Sequence, residues 1–69
     1  MRFGARLRQY RVMAGLTQAE LAALAGTTQD YVSDLERGKH FPNVKLLVRL
    51  AGGLGVNSRD LVQAAVMGM

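Results

Sequence analysis

Residues 17–36, TQAELAALAGTTQDYVSDLE, restrict the fold more than any other segment because they carry two helix starts in close succession. Thr17 can accept a hydrogen bond from a first-turn backbone N–H, and Glu20 can reach back to the Thr17 amide to complete a capping box. Thr28 starts a second helix, whose first turn contains Asp30 near the positive end of the helix dipole. The segment therefore predicts two short helices whose starts are set by local hydrogen bonding.

The junction between these two helices is the most informative spacing in the chain. Two short helices joined by a turn of about three residues must cross steeply, so the crossing requires a small residue and the turn requires one that tolerates positive φ. Ala22 and Gly26 meet these two requirements. The apolar side chains expected beneath the crossing are Leu21, Leu24 and Ala25 on the first helix, and Val32 and Leu35 on the second.

Flanking segments predict three further helices. The first covers residues 3–14, where apolar side chains recur at helical spacing until Gly15. The fourth opens at Asn43 and ends in GGLGV, where Gly52 and Gly53 each cost up to roughly 1 kcal/mol if helical and can fray the last turn.

The start of the fifth helix repeats the capping pattern. In VNSRDL, residues 56–61, Asn57 is expected to cap and Asp60 to reach back to it, while Val56 and Leu61 pack on each other. No strand pattern is present in the sequence. The chain is therefore expected to be all-α.

Composition limits the kind of function. A chain of 69 residues makes one domain, and a net charge of +4 favours a polyanionic partner. With no cysteine and one histidine, neither a disulfide nor a Cys/His zinc site is expected, and we expect no metal or other cofactor. The lone His40 offers no catalytic constellation, so an enzyme is not expected. No apolar run is long enough for a membrane span, which makes a cytoplasmic protein without a membrane partner the default expectation.

Several features together resemble one known family. They are LTQAELA at residues 16–22, the small residue and glycine at Ala22 and Gly26, YVSDLERGK at residues 31–39, and a leucine-rich helix followed by LGV. This combination, spread over residues 7–61, resembles the helix-turn-helix domain of phage repressor and Cro proteins, the XRE family.

The resemblance implies a compact five-helix, lambda-repressor-like DNA-binding fold. It places the motif at about residues 17–37 of a single domain, residues 1–69, with helix 3 in the DNA major groove. The C-terminal helix, about residues 58–67, is expected to take part in a dimer.

Helix geometry indicates which side chains of the third helix would meet DNA. If Val32 and Leu35 face inward, the opposite side presents Gln29, Asp30, Ser33, Asp34 and Arg37. Gln29 can pair with the N6 and N7 edge of adenine. The resemblance implies base reading at Gln29, Asp30 and Asp34, with Ser33 beside them.

Two of these acids have alternative roles. Asp30 can complement the helix dipole or accept from a cytosine amino group. Asp34 can hold the Arg37 guanidinium toward a phosphate or accept from cytosine. The resemblance implies that the third acid of this segment, Glu36, forms a partly buried structural ion pair with Arg11.

Backbone phosphates are expected to be contacted from the edges of this surface, by Gln18, Thr28, Arg37 and Lys39. Asn43 and Lys45 have the same candidate role, with a plain helix cap and a solvated lysine as the alternatives. The remaining arginines are expected on solvated faces; they are Arg2, Arg6, Arg8, Arg49 and Arg59.

Useful specificity from one recognition helix requires two copies on an inverted repeat, so a homodimer is expected. Its candidate residues are Val62, Val66, Met67 and Met69, although a frayed tail is the alternative. The sequence thus favours a small homodimeric transcriptional regulator of double-stranded DNA, most simply a repressor. An antitoxin with a toxin or other regulatory partner and a restriction-modification controller stay open, as does a helical protein-interaction adaptor.

Overall fold

Five α-helices make up the part of the chain described by the computed structural model, which covers the backbone of residues 2–67 and the side chains of residues 2–63. In chain order they are α1 (Phe3–Met13), α2 (Gln18–Ala25), α3 (Gln29–Glu36), α4 (Val44–Leu54) and α5 (Ser58–Met67). The described residues contain no strand, and the all-α expectation is confirmed. None of these helices has both the length and the apolar character needed to cross a membrane.

The helix starts follow the capping residues. The Thr17 hydroxyl accepts from the Glu20 amide at 3.0 Å, and the Glu20 carboxylate accepts from the Thr17 amide at 2.8 Å, which completes the capping box of α2. The Thr28 hydroxyl accepts from the Tyr31 amide at 3.2 Å at the start of α3. Asn43 caps α4 with a 2.8 Å bond from the Leu46 amide. Three helix starts are therefore fixed by side chains that the sequence identifies.

The start of α5 differs from its expected pattern. Asn57 Oδ1 accepts from the Arg59 amide at 2.9 Å, so asparagine does cap the helix. Among the hydrogen bonds of the described residues, none runs from the Asn57 amide back to the Asp60 carboxylate. The expected capping box at residues 57–60 is therefore wrong in its second half, because the Asn57 oxygen engages an amide one position earlier than Thr17 does in α2.

The core draws on all five helices. Six side chains are almost fully buried: Leu7, Leu21, Val32, Leu35, Leu50 and Leu61. Burying each side chain of this size stabilises the fold by about 1.5–3 kcal/mol. Since Val32 and Leu35 belong to α3, the orientation of that helix is set by the same apolar cluster that holds the domain together.

Two apolar side chains expected in helix faces are exposed instead. Leu24 is 59% exposed because Leu21, Ala22 and Ala25 occupy the buried side of α2, which leaves Leu24 at its edge. Val44 is 77% exposed, since it is the first residue of α4 and precedes the buried part of that helix.

Close approaches between helices explain two glycines. A Cβ on Gly4 would overlap the Leu35 carbonyl oxygen and lie 2.6 Å from the Glu36 carbonyl oxygen, so the start of α1 packs against the backbone at the end of α3. A Cβ on Gly53 would lie 3.1 Å from Leu24 Cβ, where α4 passes α2. Gly53 stays helical, and α4 ends only at Gly55, which has φ +70°.

We predict opposite effects for alanine at two helical glycines. Gly4→Ala should destabilise the domain by about 1–3 kcal/mol, because the backbone carbonyls that meet the new methyl group cannot rotate away. Gly52→Ala is the matched control, since nothing lies within 4 Å of its added Cβ. That substitution should stabilise α4 by about 0.5–1 kcal/mol. Urea denaturation measures both, and equal stabilisation by the two variants would contradict the packing of α1 on α3.

Candidate nucleic-acid interface

Helix α3 lies across α2, with its apolar side chains packed in the core and the side chains of its opposite face turned toward solvent. Val32 and Leu35 are fully buried, as expected. The residues expected on the opposite side, Gln29, Asp30, Ser33, Asp34 and Arg37, are exposed or half-buried. These five side chains therefore form one accessible surface, which we call the recognition surface.

The turn between α2 and α3 is built as the spacing predicts. Ala22 at the crossing is buried, and its carbonyl oxygen accepts from the Thr27 amide at 2.9 Å. Gly26 ends α2 in the left-handed region at φ +70°. An L-residue with a side chain rarely adopts this conformation, so glycine at this position allows the tight turn.

An ion pair between Arg11 and Glu36 fixes the other end of α3. Arg11 Nε donates to Glu36 Oε2 at 2.6 Å and Nη2 donates to Oε1 at 3.2 Å, and the two side chains are only 12% and 3% exposed. Arg11 Nη1 also donates to the Leu16 carbonyl oxygen at 2.8 Å. Gln18 Nε2 donates to Glu36 Oε1 at 3.1 Å. Glu36 is thus enclosed by partners and unavailable to a ligand.

Gln18 is partly committed to the ion pair. Its side-chain amide was expected to reach a phosphate, and in the structure its Nε2 donates to Glu36. A side-chain amide has two N–H donors, so one remains for a second partner. Gln18 therefore joins the structural pair to the edge of the recognition surface.

The partners of Asp34 correct one of the two expected roles. Asp34 Oδ1 lies 3.9 Å from Lys39 Nζ, and Oδ2 lies 3.6 Å from His40 Nε2. Arg37 does not pair with it, because Arg37 caps the end of α3 and Gly38, at φ +79°, turns the chain back. The Lys39 amide then donates to the Asp34 carbonyl oxygen at 2.9 Å, which brings the loop over the last turn of α3.

His40 is exposed in the loop after α3, and its ring stacks on Tyr31 with centroids 5.6 Å apart and planes at 14°. The sequence did not reveal this contact. The signal was the position of Tyr31 one turn before Asp34 on α3, but the return of the loop depends on tertiary structure. The loop after α3 is therefore tied to the recognition surface by both charge and stacking.

Arginines expected on solvated faces divide into two groups. Arg2, Arg8 and Arg59 are exposed, as is Arg49, which nevertheless lies beside Gly26 in the α2–α3 turn. Arg6 is half-buried, and its guanidinium lies 5.4 Å from the centroid of the Tyr10 ring, a cation–π arrangement. The expectation for Arg6 is therefore wrong, because the α1 residue one turn later provides an aromatic face.

The candidate dimer residues fall mostly beyond the described side chains. Val62 is half-buried and packs against the core. The side chains of Val66, Met67 and Met69 lie outside the described residues.

Comparison with known proteins defines the class. Residues 2–65 match the sequence model of the family described as "Helix-turn-helix domain", and the chain belongs to this family. A relative from Sinorhizobium fredii, the uncharacterized HTH-type transcriptional regulator y4dJ, is 48% identical over 58 residues, which cover 84% of this chain and 71% of the relative. The chain spans smaller shares, 49% and 43%, of two other relatives.

Solved structures show the same fold. The restriction-modification controller protein C.AhdI from Aeromonas hydrophila has a TM-score of 0.83 at 39% identity, over 86% of this chain and 89% of that one. The P22 c2 repressor in complex with a synthetic operator has a TM-score of 0.84 at 28% identity, over 88% of this chain and 92% of that one. The resemblance to phage repressors and the lambda-repressor-like fold are thereby confirmed.

We predict that removing either partner of the Arg11–Glu36 pair leaves a large fraction of the protein molecules unfolded. Glu36→Ala should cost about 3–5 kcal/mol, because it leaves the Arg11 guanidinium and the Gln18 amide without their acceptor. Arg11→Met should have a comparable effect. Thermal denaturation measures both variants.

A double variant and an exposed control test the coupling. Arg11→Met combined with Glu36→Leu should cost clearly less than the sum of the single changes, because neither charge is then left unpaired. Arg8→Met on the exposed side of α1 should change stability by less than about 0.5 kcal/mol. If the stability loss of the double variant equals the sum of the two single losses, the two side chains do not interact energetically.

Proposed function

We propose that this helix-turn-helix protein, a sequence-specific DNA-binding transcriptional regulator, acts as a homodimeric repressor that inserts α3 into the major groove of an inverted-repeat operator. The orientation of α3 carries the proposal. Its apolar residues are fully buried, and the side chains that can read bases and bind phosphates face solvent. The P22 c2 repressor, whose fold this chain shares, has been solved with a synthetic operator.

Base reading is assigned to the recognition surface. Gln29 is the first residue of α3 and exposed, so it would lie deepest in the groove, where its amide can pair with adenine N6 and N7. Asp30 and Asp34 can accept from cytosine amino groups, with Ser33 between them. The pairing of Asp34 with Lys39 and His40 favours a supporting role for its carboxylate over base reading.

Phosphate contacts are assigned to the periphery. Arg37, Lys39 and Lys45 are exposed, and Gln18, Thr28 and Asn43 supply neutral donors beside them. Three cations per subunit give about six neutralised phosphates in a dimer and contribute about −5 to the slope of log K against log salt. These contacts position the helix without specifying sequence.

Changes at Gln29 and Arg37 should separate specificity from affinity. Gln29→Ala should cost about 1–3 kcal/mol on the best operator, since one bidentate base contact is lost, and it should relax preference at one position of each half-site. Arg37→Ala should weaken binding to all duplexes alike and flatten the salt slope by about 1 per subunit. Selection from random duplexes, followed by fluorescence anisotropy, measures both effects.

The matched control is Gln9→Ala, an exposed glutamine of α1 that is not part of the recognition surface. It should leave the selected sequence and the affinity unchanged. Retention of biological function by the Gln29→Ala/Arg37→Ala double variant would indicate a protein-interaction adaptor instead of a DNA-binding regulator.

The dimer predicts a fixed half-site spacing. Selected sites should be inverted repeats with centres about 34 Å, or one helical turn, apart. Inserting 5 base pairs at the centre should reduce binding to that of a single half-site, because it rotates one half-site to the opposite side of the duplex. Equal affinity for both spacings, with only monomers in sedimentation at tens of micromolar, would contradict the dimer.

A restriction-modification controller is the second candidate role, favoured by the likeness to C.AhdI. Genes encoding a methyltransferase next to this one would support it. A neighbouring toxin gene would instead favour an antitoxin that binds a toxin partner.

A further inference from the structure

A shallow groove separates the α2–α3 turn from the start of α4. Thr27 and Tyr31 line one side, and Asn43, Lys45 and Arg49 line the other. Arg49 was expected on a solvated face. In the structure a Cβ built on Gly26 would lie 3.8 Å from Arg49 Nη1, so the guanidinium reaches across the groove to the turn.

The charges of this groove are of one sign. Lys45 and Arg49 are four residues apart and therefore share one side of α4, where like charges repel. No carboxylate lines the groove, and within the described residues neither cation forms an ion pair. The hydroxyls of Thr27 and Tyr31 add further donors. An arrangement of cations and donors without an internal acid has the chemistry of an anion site.

The position of the groove identifies the anion. Thr27 immediately precedes Thr28, the N-cap of α3, and Tyr31 belongs to the first turns of that helix. A DNA strand that flanks α3 in the major groove therefore passes beside Lys45 and Arg49. We propose that Arg49 and Lys45 bind neighbouring phosphates of the operator backbone, and that Arg49 is a phosphate-contacting residue of this protein. The inference rests on the proposed function for its ligand.

Arg49→Gln tests the assignment. Losing one phosphate contact flattens the slope of log K against log salt by about 0.9 per subunit, or about 1.8 in a dimer. A fourfold rise in salt should then weaken the variant about tenfold less than the natural protein. The loss should be the same on the selected operator and on an unrelated duplex, because a phosphate contact carries no sequence information.

Two further variants complete the measurement. Arg59→Gln removes an exposed arginine of α5 and should leave the slope unchanged. Arg49→Lys keeps the charge and should restore the slope. Equal slopes for Arg49→Gln and Arg59→Gln would overturn the inference, provided that the circular dichroism melts of both variants match the natural protein.

The same data separate this inference from the proposed function. A flattened slope on all duplexes, with no preferred sequence in selection, supports the phosphate site and contradicts sequence-specific regulation. A preferred operator with an unchanged slope contradicts the phosphate site alone. Absence of binding to any duplex overturns both.

A titration with inorganic phosphate distinguishes the source of the anion. Shifts of the Gly26 and Thr27 amide resonances that vanish in Arg49→Gln, without any change in the DNA slope, would assign the groove to free phosphate and overturn its assignment to the operator backbone.

Discussion

The Arg11–Glu36 ion pair is the interaction on which the presentation of α3 depends. One carboxylate, almost fully enclosed, receives the Arg11 guanidinium from α1 and the Gln18 amide from the start of α2. Arg11 in turn holds the Leu16 carbonyl oxygen in the α1–α2 connection. A short helix has a fixed direction once both ends are fixed. The Gly26 turn sets the start of α3, and Glu36 sets its end.

This pair also explains why a segment rich in acids can belong to a DNA-binding surface. Glu36 is internal and neutralised by Arg11, while Asp34 lies near Lys39 and His40. Asp30 stands in the first turn of α3, where a negative charge favours the helix dipole. Each acid therefore has a compensating partner within the protein. The exposed positive charge lies around α3, in the following loop and on α4, so the phosphate contacts and the base reading that we propose occupy different places.

Features that depend on residues close in sequence could be predicted, whereas features that depend on tertiary contacts could not. The caps of α2, α3 and α4 involve residues three apart, and the buried face of α3 follows from its apolar spacing. Judged by sequence alone, Gly4 should weaken helix α1, and only the close approach of α3 explains why glycine stands at this position. The exposure of Leu24 likewise depends on which side of α2 faces the core.

The candidate site divides in the same way. Base-reading candidates could be named from helix periodicity, because every residue of one helix face is fixed once the buried face is known. The partners of Asp34 and the reach of Arg49 required the return of the loop after α3 and the packing of α4 against the turn. The Arg11–Glu36 pair, 25 residues apart, was expected from family resemblance and not from spacing.

Several side chains at the edge of the recognition surface already hold structural bonds. Gln18 donates to Glu36, and Thr28 and Asn43 accept from the amides that begin α3 and α4. These bonds restrict the side chains before any ligand arrives, yet each side chain retains a free donor. Ordering a mobile side chain at an interface costs about 0.5–1.5 kcal/mol, and restricting it in advance removes part of that cost. A small domain that offers few contacts to a ligand gains affinity in this way without additional surface.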